Sequence, residues 1–224
     1  MSAPSAKAWM DRLAHDLRGP LSPMQTAVYL LRDPGLGDDQ RDELFAVLER
    51  QIQRLGGMID EFSDLGRAEQ GRLMVRSEAI DLELLVMDTI ARLREVPPHV
   101  EFAPGAETLR IAGDMQRVAQ LFHALLGLQL SRSHPVAVRA RIEGHGARMR
   151  MACAVHCRDA SDTLIASLLT SPHPDPPDDA LGLGLVIAAA IATAHGGSLH
   201  GRASGGDTLE LMLDLPALPD AGPE

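Results

Sequence analysis

The chain has 224 residues, and 21 Lys and Arg against 31 Asp and Glu leave a formal charge of −10. A length of this order holds about two small domains, and the acidic balance speaks against nucleic acid as a partner, because neutralising phosphates needs surplus Lys and Arg. Hydrophobic residues make up 45% of the chain, but only Trp9, Tyr29, Phe45, Phe62, Phe102 and Phe122 are aromatic, so the core is built of Leu, Ala, Val, Ile and Met.

Cysteine usage points to a reducing compartment. Cys153 and Cys157 are the only two. On one strand their Cα atoms lie roughly 13 Å apart, too far for a disulfide. They read as two buried strand cysteines, with a metal site shared with His156 as the sharper alternative. Residues Met1 to Lys7 lead into an amphipathic segment and not into a secretory signal. Ala180 to Gly201 lacks Asp, Glu, Lys and Arg, yet it is interrupted by glycines and falls short of the about 20 apolar residues of a membrane span. No membrane contact and a cytoplasmic location are expected.

Apolar residues first recur as Trp9, Leu13, Leu17, Leu21, Met24, Val28 and Leu31, one face of a helix. Asp33-Pro34-Gly35-Leu36-Gly37 breaks it, and Asp38 or Asp39 can cap a second helix. That helix carries Leu44, Leu48, Ile52, Leu55, Ile59 and Phe62, widened by Phe45, Val47, Met58 and Leu65. Two antiparallel helices with stripes this wide cannot cover each other, so residues 1–72 are expected to form a hairpin that pairs with a second copy in a four-helix bundle. His15 lies two residues from both Leu13 and Leu17, about 200° around the helix from each, on the outer face beside Asp16. Pro20 should kink the helix.

The string His15-Asp16-Leu17-Arg18-Gly19-Pro20-Leu21 resembles the H-box of bacterial histidine kinases, and the likeness extends through the second helix to Arg67-Ala68-Glu69-Gln70-Gly71. The resemblance implies that His15 accepts a phosphoryl group and that Asp16 assists proton removal, with Arg18 helping to neutralise phosphate charge. The residues suit that chemistry, since imidazole is largely neutral near pH 7 and a neighbouring carboxylate can take a proton. The family's Asn or Thr, linked to dephosphorylation of the partner, is replaced by Gly19, which puts phosphatase activity in doubt.

From Ser77 the pattern changes. Ala79 to Leu82 reads as a strand, Leu84 to Val96 as a helix stopped by Pro97-Pro98, and His99 to Ala103 and Leu109 to Ala112 as strands. A helix over Met115 to Leu130 follows. Strands over Val136 to Ile142 and Arg148 to His156 flank the turn Gly144-His145-Gly146. Leu183 to Ala194 is helical, and strands over Ser198 to Ala203 and Thr208 to Leu215 close an α/β domain over residues 77–216. Residues 217–224 read as a disordered tail.

Leu181-Gly182-Leu183-Gly184-Leu185, His195-Gly196-Gly197 and Gly206-Asp207-Thr208 resemble the second glycine box and last strands of the histidine kinase catalytic domain, and Gly113-Asp114-Met115-Gln116-Arg117-Val118 resembles the start of its nucleotide-site helix. The fold implied is α+β: a helical hairpin in a dimeric four-helix bundle, then a histidine-kinase-type, Bergerat-like α/β sandwich. The resemblance would assign nucleotide binding to Gly182, Gly184 and Asp159. The rest of that site departs from the family. Its two Asn positions hold Ala124 and Leu128, which offer no oxygen to a magnesium ion. Val155 to Asp162, in place of a glycine-bearing adenine loop, has no glycine, and the lid carries Pro172, Pro174, Pro176 and Pro177 and no Phe.

An intact H-box beside an eroded ATP site resembles the kinase-like histidine phosphotransferases. The expectation is a phosphorelay protein of two-component signalling, in which His15 shuttles a phosphoryl group between response-regulator receiver domains with no cofactor and no autokinase activity. The short length, with no room for an input module, points the same way. Two alternatives stand beside it: a divergent sensor histidine kinase using ATP and magnesium, and a non-catalytic adaptor that heterodimerises with a kinase or regulator.

Overall fold

The computed structural model describes residues 13–93, 96–131, 133–176, 180–205 and 207–219. The chain divides into two compact units, residues 1–63 with 179–181 and residues 64–178 with 182–224. Trp9, at the head of the first predicted stripe, lies outside the described residues.

In the first unit residues 13–18 are helical, residues 19–20 turn, and α1 (Leu21–Leu30) follows. Pro20 explains the break. It has no N–H to continue the helix, and its φ of −64° leads into α1. The Gly19 N–H donates instead to the Asp16 carbonyl at 3.2 Å. After α1 the Asp33 carboxylate accepts the Gly35 N–H at 2.8 Å and tightens the turn. α2 (Asp38–Glu69) then runs for 32 residues and ends within the second unit. Leu13, Ala27 and Met58 are buried, whereas Val28, Tyr29, Phe45, Ile52, Ile59 and Phe62 stand exposed. Phe45, Ile52 and Ile59 are seven residues apart, so they line one seam along α2.

In the second unit β1 (Glu78–Asp81) pairs antiparallel with β3 (Arg110–Gly113) in a two-stranded sheet. The Asp81 side chain caps α3 (Leu82–Arg92) by accepting the Leu84 N–H at 3.0 Å. The main sheet holds β2 (His99–Phe102), β4 (Arg139–His145), β5 (Arg148–His156), β6 (Ser198–Ser204) and β7 (Thr208–Pro216) in the order β2-β4-β5-β7-β6. β2 runs parallel to β4, and the other pairs are antiparallel. Its helices are α4 (Met115–Leu126), α5 (Asp162–Thr170) and α6 (Gly184–Ala194).

Period-two alternation sorts the sheet into a buried and an open face. On β7, Leu209, Leu211, Leu213 and Leu215 are buried, while Glu210, Met212 and Asp214 face outward. Ile142, Met149 and Met151 join the inner layer, and Leu121, Phe122, Leu125 and Ile191 meet it from α4 and α6. The outer face is laced with ion pairs: Arg141 with Glu143, Arg202 with Glu210, and Arg148 and Arg150 with Asp214. The fold class is α+β, a helical N-terminal region followed by an α/β sheet domain.

Several boundaries differ from the sequence pattern. The helix predicted over Leu84 to Val96 spans Leu82–Arg92. The one predicted to Leu130 stops at Leu126, with Gly127 as its C-cap, a position where a Cβ would lie 2.6 Å from Leu93 Cδ2. α5 was not anticipated. Its signals are short but present: Ser161 accepts the Leu164 N–H, and Leu164, Ile165, Leu168 and Leu169 follow at helical spacing. Residues 217–218 are not a loose tail, since Ala217 donates to the Ala147 carbonyl and Leu218 to that of Arg110. Residues 220–224 lie outside the described residues. Cys153 is a buried strand cysteine, but Cys157 is half-exposed and lies just past the end of β5.

One polar cluster is buried in the second unit. Arg117 on α4 is 7% exposed and Asp64 on α2 is 6% exposed, and they pair at 2.7 Å. Gln120 accepts from Arg117 and donates to Asp64, both at 2.8 Å, and Arg67 reaches Asp64 at 3.3 Å. Removing one partner leaves the other charge buried and unpaired. Asp64→Ala should therefore cost about 3–5 kcal/mol in urea unfolding, and the apolar pair Asp64→Leu with Arg117→Met should recover most of that loss.

Candidate functional site

His15 is exposed on the helical segment 13–18, with Leu13 buried on the opposite side. Arg18 and Gly19 are exposed and Asp16 is half-buried. The break at Gly19 and Pro20 thus comes just after an imidazole that solvent and a partner can reach. A Cβ at position 19 would lie 3.2 Å from the Asp16 carbonyl oxygen, a tight contact with backbone. His15, Asp16 and Arg18 share this segment of the first unit.

The glycine-box residues lie in the second unit. Gly182 has a φ of +74°, and a Cβ on it would come within 2.8 Å of the His173 backbone N and O. The His173 N–H donates to the Gly182 carbonyl at 2.9 Å, so this glycine closes the base of the lid loop. Gly184 is the first residue of α6, and a Cβ there would meet nothing within 4 Å. Leu183 precedes it without a side-chain cap, so the first N–H groups of α6 have no capping side chain. Pro177 in the lid and Gly206 of the last glycine element lie outside the described residues.

Asp159 sits exposed in the turn after β5 with a φ of +63°. Its neighbours are the loop before β7, where the Cys157 N–H donates to the Asp207 carbonyl at 2.8 Å. Among the described residues no hydrogen bond or ion pair joins Asp159 to Gly182 or Gly184. Ala124 and Leu128 are both half-buried, and Leu128 lies beyond the end of α4. Neither offers an oxygen, so the two positions do not fit a magnesium ion. Among the described residues no three His, Cys, Asp or Glu side chains gather as a metal site. Burial pushes the Cys153 thiol up to about 12, which makes it inert.

A residue pair that motif reading alone did not connect organises this unit. His195 is buried at the end of α6. Its Nδ1 meets the Ile191 carbonyl at 2.8 Å, and its Nε2 accepts the Asp114 N–H at 3.1 Å. These partners assign the neutral tautomer with the proton on Nδ1. Gly113 is glycine because a Cβ would lie 2.5 Å from His195 Cδ2. The Asp114 carboxylate accepts the Arg117 N–H as the α4 cap, and the N–H groups of Val75 and Arg76 from the preceding linker.

Residues 7–71 match the model of the His Kinase A (phospho-acceptor) domain. The sensor protein ChvG of Rhizobium meliloti is 26% identical over 92% of this chain and 40% of its own length. The chain thus spans well under two thirds of the curated relatives it matches. Among solved structures, histidine kinase ThkA in complex with response regulator protein TrrA aligns with a TM-score of 0.65 at 16% identity, over 95% of this chain and 62% of that one. Full-length ShkA in complex with AMPPNP aligns at 0.59 and 20% identity, over 96% and 47%. Residues 7–71 are thus similar to a phospho-acceptor domain, and the chain as a whole has the fold of histidine kinase cores. Among the described residues no helix is long and apolar enough to cross a membrane. Because the relatives are longer, the chain's length carries no weight for or against an input module.

Burial pushes the Asp114 carboxyl up, but hydrogen bonds from the N–H groups of Val75, Arg117, Arg76 and Gln116 outweigh it and hold the group below the ordinary carboxylate value. A depressed carboxylate contributes stability above the unfolded value of about 3.9 and loses it as pH falls through the lower folded one. Asp114→Asn, in which one of the two accepting oxygens becomes an N–H donor, should therefore unfold at lower urea than the native protein at pH 7, by about 1 kcal/mol. At pH 3 the two midpoints should lie closer together.

Proposed function

We propose that this core is the phosphoryl-carrying part of a two-component histidine kinase, with His15 as the acceptor and a response-regulator receiver as its partner. The observation that carries this is an exposed His15, followed by the Pro20 break, inside a segment that matches the phospho-acceptor domain. ThkA, with the same fold, is known in complex with a response regulator.

In the exchange with a receiver, the unprotonated ring nitrogen of His15 attacks phosphorus. A P–N bond forms as the P–O bond of the aspartyl phosphate breaks, and the aspartate carboxylate leaves. The ring then sheds the proton on its other nitrogen, and Asp16 is the carboxylate assigned to receive it. Arg18 faces the incoming phosphate as a cation. The exposed seam of Phe45, Ile52 and Ile59 supports pairing of residues 1–72 with a second copy, since an apolar stripe of this length needs a cover.

The source of the phosphoryl group divides two readings. ChvG bears the name of a sensor protein, and ShkA binds AMPPNP, an ATP analogue. These favour a kinase that uses ATP over the relay anticipated from the sequence. One specific observation favours the relay: Ala124 and Leu128 cannot ligate magnesium, on which phosphoryl transfer from ATP depends.

Incubation with a phosphorylated receiver should place acid-labile label on the native protein. His15→Ala should abolish it, and Asp16→Asn should slow it by about 10²–10⁴-fold. No label, with a receiver that binds, would sink the proposal. Calorimetry with millimolar ATP and magnesium then separates the two sources: a kinase binds and labels itself, and a relay does neither.

A further inference from the structure

α2 contains a feature that its own packing does not require. Gly56 and Gly57 are the nineteenth and twentieth residues of this 32-residue helix. Both are exposed, and a Cβ at either would meet nothing within 4 Å. The contrast with Gly113, Gly127 and Gly182 is sharp, since each of those is held at glycine by an atom less than 3 Å from a Cβ. Two adjacent glycines in a helix interior sacrifice stability and lengthen the list of backbone conformations that α2 can visit. Fully packed anchors stand after them: Met58 is 1% exposed, and Asp64 pairs with the buried Arg117.

We propose that Gly56-Gly57 is a built-in bending point of α2, which lets the turns of the helix before it move while the turns after Met58 stay fixed. Glycine pairs are where helices kink when neither proline nor an inserted group is present. The bend is a local opening of the ladder around residues 52–60, in equilibrium with the straight helix. Its consequence for signalling, a change in how often His15 meets a receiver, rests on the proposed function.

Hydrogen exchange on the full chain tests it. In the native protein the amides around residues 52–60 should exchange faster than those of residues 40–48, and Gly56→Ala with Gly57→Ala should slow them about ten-fold. The same variant should raise the thermal midpoint, leave the molar mass in solution unchanged and slow label transfer to His15. Uniform protection along native α2, or no slowing in the variant, would overturn the bending point. So would a variant that falls apart into single chains, because the glycines would then serve close approach of a second helix. If exchange behaves as stated but neither protein takes label, the function fails and the bending point stands.

Discussion

A guanidinium out of reach of water has to be paired, and Arg117 is. Asp64 supplies the charge, and Gln120 bridges the two with one acceptor and one donor. Two of these three side chains are on α4, but Asp64 is on α2, the helix that begins in the first unit. An isolated α/β domain cut after that helix would leave Arg117 facing an apolar surround, where an unpaired charge is expensive. The last turns of α2 are therefore as much a part of the second unit as its strands are, and the linker through Val75 and Arg76 is fastened by Asp114 a few ångströms further on.

His195 and Asp114 complete the frame. A buried imidazole accepts one backbone N–H, fills the space that a side chain at position 113 would need, and so sets where α4 starts. Asp114 caps that helix and ties the linker to it. Packing and hydrogen bonding thus account for His195 and Gly113 in this chain. The same holds for Gly182, whose positive φ and contact with the His173 backbone close a loop.

Much of the architecture was legible because it follows from periodicity. The alternation on β5 and β7, the stripes on α2 and the break at Pro20 are local patterns, and the fold reproduces them. The misses have local causes too. α5 has only two turns, too few for a stripe to stand out beside the prolines that follow. The early end of α4 falls at Gly127, a residue poor at continuing a helix and packed against Leu93, which lies 34 residues earlier and outside any sequence window. Of the candidate site, the His15 segment could be read whole, since its residues are consecutive. Gly182, Gly184 and Asp159 could not be judged together, because whether distant residues meet depends on tertiary structure, and Asp159 sits exposed in the turn after β5.

The two thiols, introduced as a matched pair, are chemically unequal. Cys153 is sealed in the sheet with its thiol raised to about 12, whereas Cys157 is half-exposed beside Asp159 and Asp207. Both are shifted away from thiolate, but only one is within reach of a reagent. A maleimide or a spin label added to the native chain has a single place to go, at the junction of β5 with the loop before β7. The protein thereby carries its own reporter on the turn that holds Asp159, without a cysteine being added or removed.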